Sequence, residues 1–157
     1  MLNKNKIISL ALLFTLISDY FLLLKEDNYI LGVTTFLIAQ LIYVFFLHSN
    51  ECNNLYKIRL SIYAVMVLTF SILKLPILYL ITFLYFFTLV MNAIASLSNK
   101  KLKIMSIGFF LFIGCDICVG LHNILNNGTL YNIVTIMMWI FYLPSQVLIS
   151  IGGNKQC

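Results

Sequence analysis

Asp19 and Asp116 are the residues of this chain best placed to do chemistry. Each stands inside an otherwise apolar stretch long enough to cross a bilayer, in Leu16-Ile17-Ser18-Asp19 and Phe112-Ile113-Gly114-Cys115-Asp116. The chain has five acidic residues, and the other three, Glu26, Asp27 and Glu51, fall in polar gaps between such stretches. An ionisable group at membrane depth is costly unless it faces the interior of a bundle or a wet cavity, so it marks a functional site. Two carboxyls in one low-dielectric pocket can hold a single proton between them, one serving as acid and the other as base.

The elements that must position them are apolar segments at 7–24, 29–48, 59–73, 75–97, 104–122 and 130–151. Most approach the roughly 20 residues a spanning helix needs. Transmembrane strands are excluded, because they alternate apolar and polar residues over about ten positions. The expectation is a single all-α domain over 1–157, a polytopic transmembrane helical bundle of about six spans. The third span reads as short, and Lys74-Leu75-Pro76 makes a tight connection with Pro76 in the first turn of the fourth helix.

Composition agrees. Of the 157 residues 62% are hydrophobic and 10% charged, with a mean hydropathy of +1.01, whereas soluble domains carry about 25% charged residues. The net charge of +5 does not point to nucleic acid, because the cations cluster beside apolar runs, where they set orientation. Lys4, Lys6, Lys57, Arg59, Lys100, Lys101, Lys103 and Lys155 share one side of a six-helix protein, against Lys25 and Lys74 on the other. This predicts both termini in the cytoplasm. Lys4 and Lys6 ahead of an apolar run resemble a signal peptide, but no small-residue cleavage site follows, and the run reads as a retained first span. Both aspartates then lie 12 residues into their helices, about 18 Å at 1.5 Å per residue, at matching height in the outer half of the membrane.

Polar residues recur at helical spacing. The first helix offers Thr15 and Asp19, and the second Tyr29, Gly32, Phe36, Gln40 and Tyr43. The fourth carries Tyr85, Thr88, Asn92 and Ser96, and the fifth Asp116, Gly120 and Asn123. The sixth has Tyr131, Thr135, Met138, Tyr142 and Ser145 or Gln146. The third has no stripe and reads as purely structural. Single hydroxyls in such stripes serve mostly as interhelical hydrogen bonds. Gln40, Asn92 and Gln146 carry more weight, since an amide in lipid needs a partner.

Other signals are weaker. Cys115 and Cys118 read as small packing residues; Cys52 and Cys157 fall on the cytoplasmic side, where thiols stay reduced, and no disulfide framework is expected. His48 and His122 sit at opposite ends of the bundle, and no four-ligand set has zinc spacing, so no metal is expected. His122 reads as an interfacial residue. Asn127-Gly128-Thr129 fits the glycosylation pattern, which matters only in a eukaryotic secretory route. Pro144 should kink the sixth helix and free a backbone carbonyl.

Four stretches resemble, in order, the signatures of the lysoplasmalogenase family of membrane proteins, the YhhN family. Leu16 to Leu23 resembles the first, Gly or Ser followed by Asp and apolar residues. Tyr29 to Gly32 through Phe36 to Tyr43 resembles the second, where Gly and Phe precede Ala-His-Leu-hydrophobic-Tyr. Gly108 to Phe112 leading to Asp116 is similar to the third, and Tyr142 to Ile149 to the closing Tyr, small, Gln, Leu, Ile pattern. The resemblance runs from about residue 8 to 150. Family members usually have eight spans, so this chain reads as a short member without the first two and their Lys-Pro motif. Gln40 stands where the family has His, and Cys115 where Ser is typical.

The resemblance implies hydrolysis of the vinyl ether of a lysoplasmalogen to a fatty aldehyde and a glycerophospho-base, with no cofactor. That chemistry needs a proton donor, a stabilised oxocarbenium-like cation and a placed water, which two carboxyls can serve as they do in glycosidases. Asp19 and Asp116 are the expected acid and base; Gln40, Tyr43, Asn92, Tyr142 and Gln146 would orient water or the polar groups of the lysophospholipid. The expected setting is a bacterial cell membrane, with membrane lipids as the surroundings. The same carboxyls fit a small proton-coupled transporter, for which 14–43 against 112–142 gives a loose repeat. A non-catalytic lipid-binding protein is the third alternative.

Overall fold

The computed structural model describes residues 4–24, 29–48, 53–125 and 128–154. Lys25, Glu26, Asp27, Glu51, Cys52, Asn127, Lys155 and Cys157 lie outside the described residues. The architecture is all-helical: α1 (Lys4–Leu24), α2 (Tyr29–His48), α3 (Asn53–Leu73), α4 (Ile77–Leu97), α5 (Lys103–Ile124) and α6 (Thr129–Asn154). In lipid every backbone polar group must be satisfied within the chain, and runs this apolar satisfy theirs as helices. Among the described residues, five helices, α2 to α6, are long and apolar enough to cross a membrane.

The third segment corrects the expectation. Helix α3 has 21 residues and begins at Asn53, because Lys57 and Arg59 are good helix formers and do not stop a helix where apolarity ends. Arg59 is also not a solvated surface cation: its side chain is 1% exposed. The link to α4 is a Schellman turn. Lys74 takes the left-handed conformation at φ 49°, and the Leu75 N–H donates to the Phe70 carbonyl at 3.4 Å, the six-to-one bond of that motif. Pro76 precedes the first turn of α4 as its N-cap, one residue earlier than expected. Between α4 and α5, Asn99 accepts from the Lys101 N–H at 3.0 Å and caps a single 3₁₀ turn, Lys100–Leu102. Helix α6 runs through Pro144.

Five helices form a closed circuit: α1 packs on α2, α2 on α4, α4 on α5, α5 on α6, and α6 back on α1. Helix α3 lies outside this circuit, packed chiefly against α4, as its lack of a polar stripe predicts. Its Tyr63 hydroxyl lies 2.7 Å from that of Thr88, and Phe70 meets Phe83 across the same interface. The bundle keeps polar side chains within a largely apolar core and is apolar outside. Thr15, Ser18, Gln40, Thr88, Asn92 and Ser96 are all buried, while Leu16, Phe45 and Ile72 are among the most exposed side chains.

Helices α5 and α6 approach closely because two glycines allow it. A Cβ on Gly152 would come within 2.3 Å of the Met105 backbone nitrogen, and one on Gly108 within 2.9 Å of the Ser145 carbonyl oxygen. This contact fixes the register that sets Tyr142, on α6, beside the aromatic residues of α5.

Candidate functional site: two tyrosine-held carboxyls

Each aspartate is held by a tyrosine from a neighbouring helix. The Tyr142 hydroxyl, on α6, donates to Oδ2 of Asp19 on α1. The Tyr85 hydroxyl, on α4, donates to Oδ2 of Asp116 on α5 at 2.6 Å. Both aspartates are half-buried, and among the described residues no hydrogen bond reaches either Oδ1. In each carboxyl, then, one oxygen is anchored and the other is left to give or take a proton. By residue count Asp19 lies about 22 Å from the start of α1 and Asp116 about 20 Å from the start of α5, close to the matched height expected.

Local features aim these groups. Ser18, next to Asp19, is fully buried and donates to the Gly32 carbonyl at 2.5 Å, which fixes the rotation of α1 against α2. A run of aromatic rings joins the two pairs. Phe112 meets Tyr142 at 5.9 Å and Phe36 at 5.7 Å, and Phe36 meets Tyr85 at 5.5 Å. Cys115, next to Asp116 on α5, is buried in the same core cluster as Phe36, Tyr85 and Phe112. The two carboxyls thus belong to one neighbourhood while keeping separate hydrogen-bond partners.

Other sequence-predicted residues fall around this centre. Gln40, Tyr43 and Asn92 are buried, and Asn92 Nδ2 donates to the backbone carbonyl of Gln40 and to its Oε1, each at 3.0 Å. Gln146 is half-buried, with Nε2 occluded and without a hydrogen-bond partner. It sits one helical turn from Tyr142 but makes no hydrogen bond to the carboxyl pairs. The α2 stripe is buried except for Tyr29, and the α4 stripe is buried throughout.

The fifth-helix stripe needs correction: Gly120 and Asn123 are exposed, and the inner face of α5 runs through Met105, Phe109, Phe112 and Cys115. Aromatic residues supply that face, so a search for polar periodicity picks the wrong side beyond Asp116. His122 pairs with Tyr131 at a ring distance of 4.2 Å and braces the α5–α6 end. Cys115 and Cys118 are buried packing residues, as expected. Among the described residues no three His, Cys, Asp or Glu side chains come together in a way that could hold a metal ion.

Tyr85 is the site residue that sequence reasoning did not single out. It belongs to the α4 stripe, but nothing in one sequence pairs it with Asp116, 31 positions away.

An apolar-surfaced helical bundle with carboxyls inside its helix circuit defines a multi-pass membrane protein with an internal polar site. The chain belongs to the YhhN family, whose profile matches residues 2–153. No curated protein and no solved structure is significantly similar to it.

Proposed function

We propose that this protein is a lysoplasmalogenase-like hydrolase in which Asp19 and Asp116 carry the acid and base roles. The observation that supports this reading is the pair of half-buried carboxyls, each anchored through one oxygen by a tyrosine and joined by aromatic rings. In the reaction one carboxylic acid gives its proton to the β-carbon of the vinyl ether, leaving an oxocarbenium-like cation. Water adds to the α-carbon and passes a proton to the other carboxylate. The hemiacetal then breaks its C–O bond: the newly protonated carboxyl gives its proton to the leaving glyceryl oxygen and the first carboxylate takes the hydroxyl proton. A fatty aldehyde and the glycerophospho-base alcohol leave, both carboxyls return to their starting states, one water is consumed and no redox partner is needed.

Phe112 and Tyr142 would present π-faces near the cation, an arrangement that favours positive charge. Gln146 would meet polar groups of the lysophospholipid. In this reading the protein sits in a bacterial cell membrane with both termini in the cytoplasm and the carboxyls toward the outer leaflet, an orientation that the cation distribution supports.

The test is incubation of the purified protein with an alkenyl lysophospholipid, measuring free aldehyde beside Asp19→Asn and Asp116→Asn. Release lost in both variants supports the assignment. No release from folded wild type overturns it, and uptake driven by a pH gradient without turnover would assign the carboxyls to a carrier instead.

A further inference from the structure

Three buried polar atoms on the inner faces of α2 and α4 have no hydrogen-bond partner among the described residues: Gln40 Nε2, Asn92 Oδ1 and the Tyr43 hydroxyl. Their side chains are 0%, 0% and 1% exposed. Their orientation is not arbitrary. A backbone carbonyl can only accept, so the Asn92 atom facing the Gln40 carbonyl must be Nδ2. With Nδ2 fixed, the Gln40 atom it also meets must be Oε1. The remaining atoms, an NH₂ on Gln40 and a carbonyl oxygen on Asn92, are therefore left over as a donor and an acceptor. Gln40 and Tyr43 are three apart on α2 and so share a face, which puts a hydroxyl-bearing side chain on the same side of the helix as the Gln40 amide.

In a bundle surrounded by lipid, unmet groups of this kind are costly and call for a partner. A donor, an acceptor and a hydroxyl that can act as either are the complement of one water molecule, which takes two to four polar partners when buried. No lipid headgroup reaches side chains sealed this completely, so the ligand is small.

We propose that Gln40, Asn92 and Tyr43 bind one ordered water, and that this site supplies the water consumed in vinyl-ether hydrolysis. The second half rests on the function proposed above. The site's position supports it: the Tyr43 ring meets Phe109 at 5.3 Å, one turn along α5 from Phe112, which meets Tyr142 at 5.9 Å. Tyr142 in turn donates to Oδ2 of Asp19. The ring contacts on α5 thus lead from this site toward a carboxyl that can take a proton. Gln40, Tyr43 and Asn92 are thus positioning residues for water, not contacts for the lipid.

The test pairs a structure of the full-length protein in lipid, at a resolution that shows ordered water, with kinetics of Tyr43→Phe. The expected map has a peak within about 3 Å of all three atoms. Tyr43→Phe should lower kcat at least tenfold, leave KM and thermal stability unchanged, and weaken the peak. A map in which the three atoms bond other protein groups, with no peak, overturns the water site. A peak combined with an unchanged kcat in Tyr43→Phe overturns its role as supplier. If wild type releases no aldehyde, the hydrolase reading and the supplier role fail together, while the map still decides the water site.

Discussion

Tyr85 and Asp116 face each other across the α4–α5 interface, the hydroxyl donating to Oδ2 at 2.6 Å. Tyr142 stands to Asp19 in the same relation across α6 and α1. The two aspartates lie on helices that are not neighbours in the circuit, so each is steadied by a different partner helix.

Tyr85→Phe removes only the donor and keeps the ring that meets Phe36. A hydrogen bond to a charged group contributes about 1.5–3 kcal/mol, and about 1.4 kcal/mol is tenfold in rate. Aldehyde release should therefore fall about 10- to 100-fold, with the fold intact by thermal melting. Unchanged turnover would mean that Asp116 does not depend on Tyr85.

Asp19→Asn and Asp116→Asn should not combine additively. If the two carboxyls serve one reaction as acid and base, losing either stops it, and the double variant is no slower than the slower single one, as in other catalytic units. Rates that multiply would separate the carboxyls into independent roles.

Much of this arrangement was legible in one sequence. Apolar length gave five of the six helices within a few residues, since spanning segments have one way to satisfy their backbones. Asp19 and Asp116 stood out because charge is so rare in the chain, and the α4 stripe from Tyr85 to Ser96 is buried as its spacing predicts. The inner face of α5 was not legible, because Phe109 and Phe112 look the same whether they face lipid or other helices. The start of α3 was missed because hydropathy marks the membrane edge, and a helix can continue past it. Tyrosine–aspartate pairing was out of reach for the same reason as helix adjacency: it depends on which helices touch, which periodicity within each helix does not encode.

Gly152→Val tests the α5–α6 contact. The added Cβ would meet the Met105 backbone nitrogen at 2.3 Å, and backbone cannot swing aside as a side chain can. Overpacking typically costs about 1–3 kcal/mol, and this contact belongs at or above the upper end. The melting temperature in detergent should drop sharply and aldehyde release with it, since Tyr142 loses its register. Gly120→Ala is the control: nothing lies within 4 Å of its Cβ position, and a glycine-to-alanine change inside a helix should leave stability equal or slightly higher.

Gln40 and Asn92 are best probed as a pair. Asn92→Leu strands the Gln40 side-chain oxygen, and Gln40→Leu strands one Asn92 N–H, so each single change leaves an unmet polar atom in the core. The double change removes both partners and should cost less than the sum of the singles. Interhelical hydrogen bonds in membranes average about 0.6 kcal/mol, with a maximum of about 1.7, so a coupling of that size is expected from unfolding in mixed micelles. Strict additivity would mean that the two amides do not interact in the bilayer.

The expected sidedness, drawn from where the cations sit, can be read by labelling. Lys101 lies in the 3₁₀ turn between α4 and α5, and Lys74 in the turn between α3 and α4, at opposite ends of α4. Both are exposed, so a cysteine at either position is open to a thiol reagent. With both termini inside, Lys74→Cys in intact cells should react with a membrane-impermeant maleimide, and Lys101→Cys only after permeabilisation. Cys115 and Cys118 are buried, but the assay still needs a background in which Cys52 and Cys157 are replaced by serine. The reverse pattern would turn the bundle over, placing the carboxyls toward the cytoplasmic leaflet.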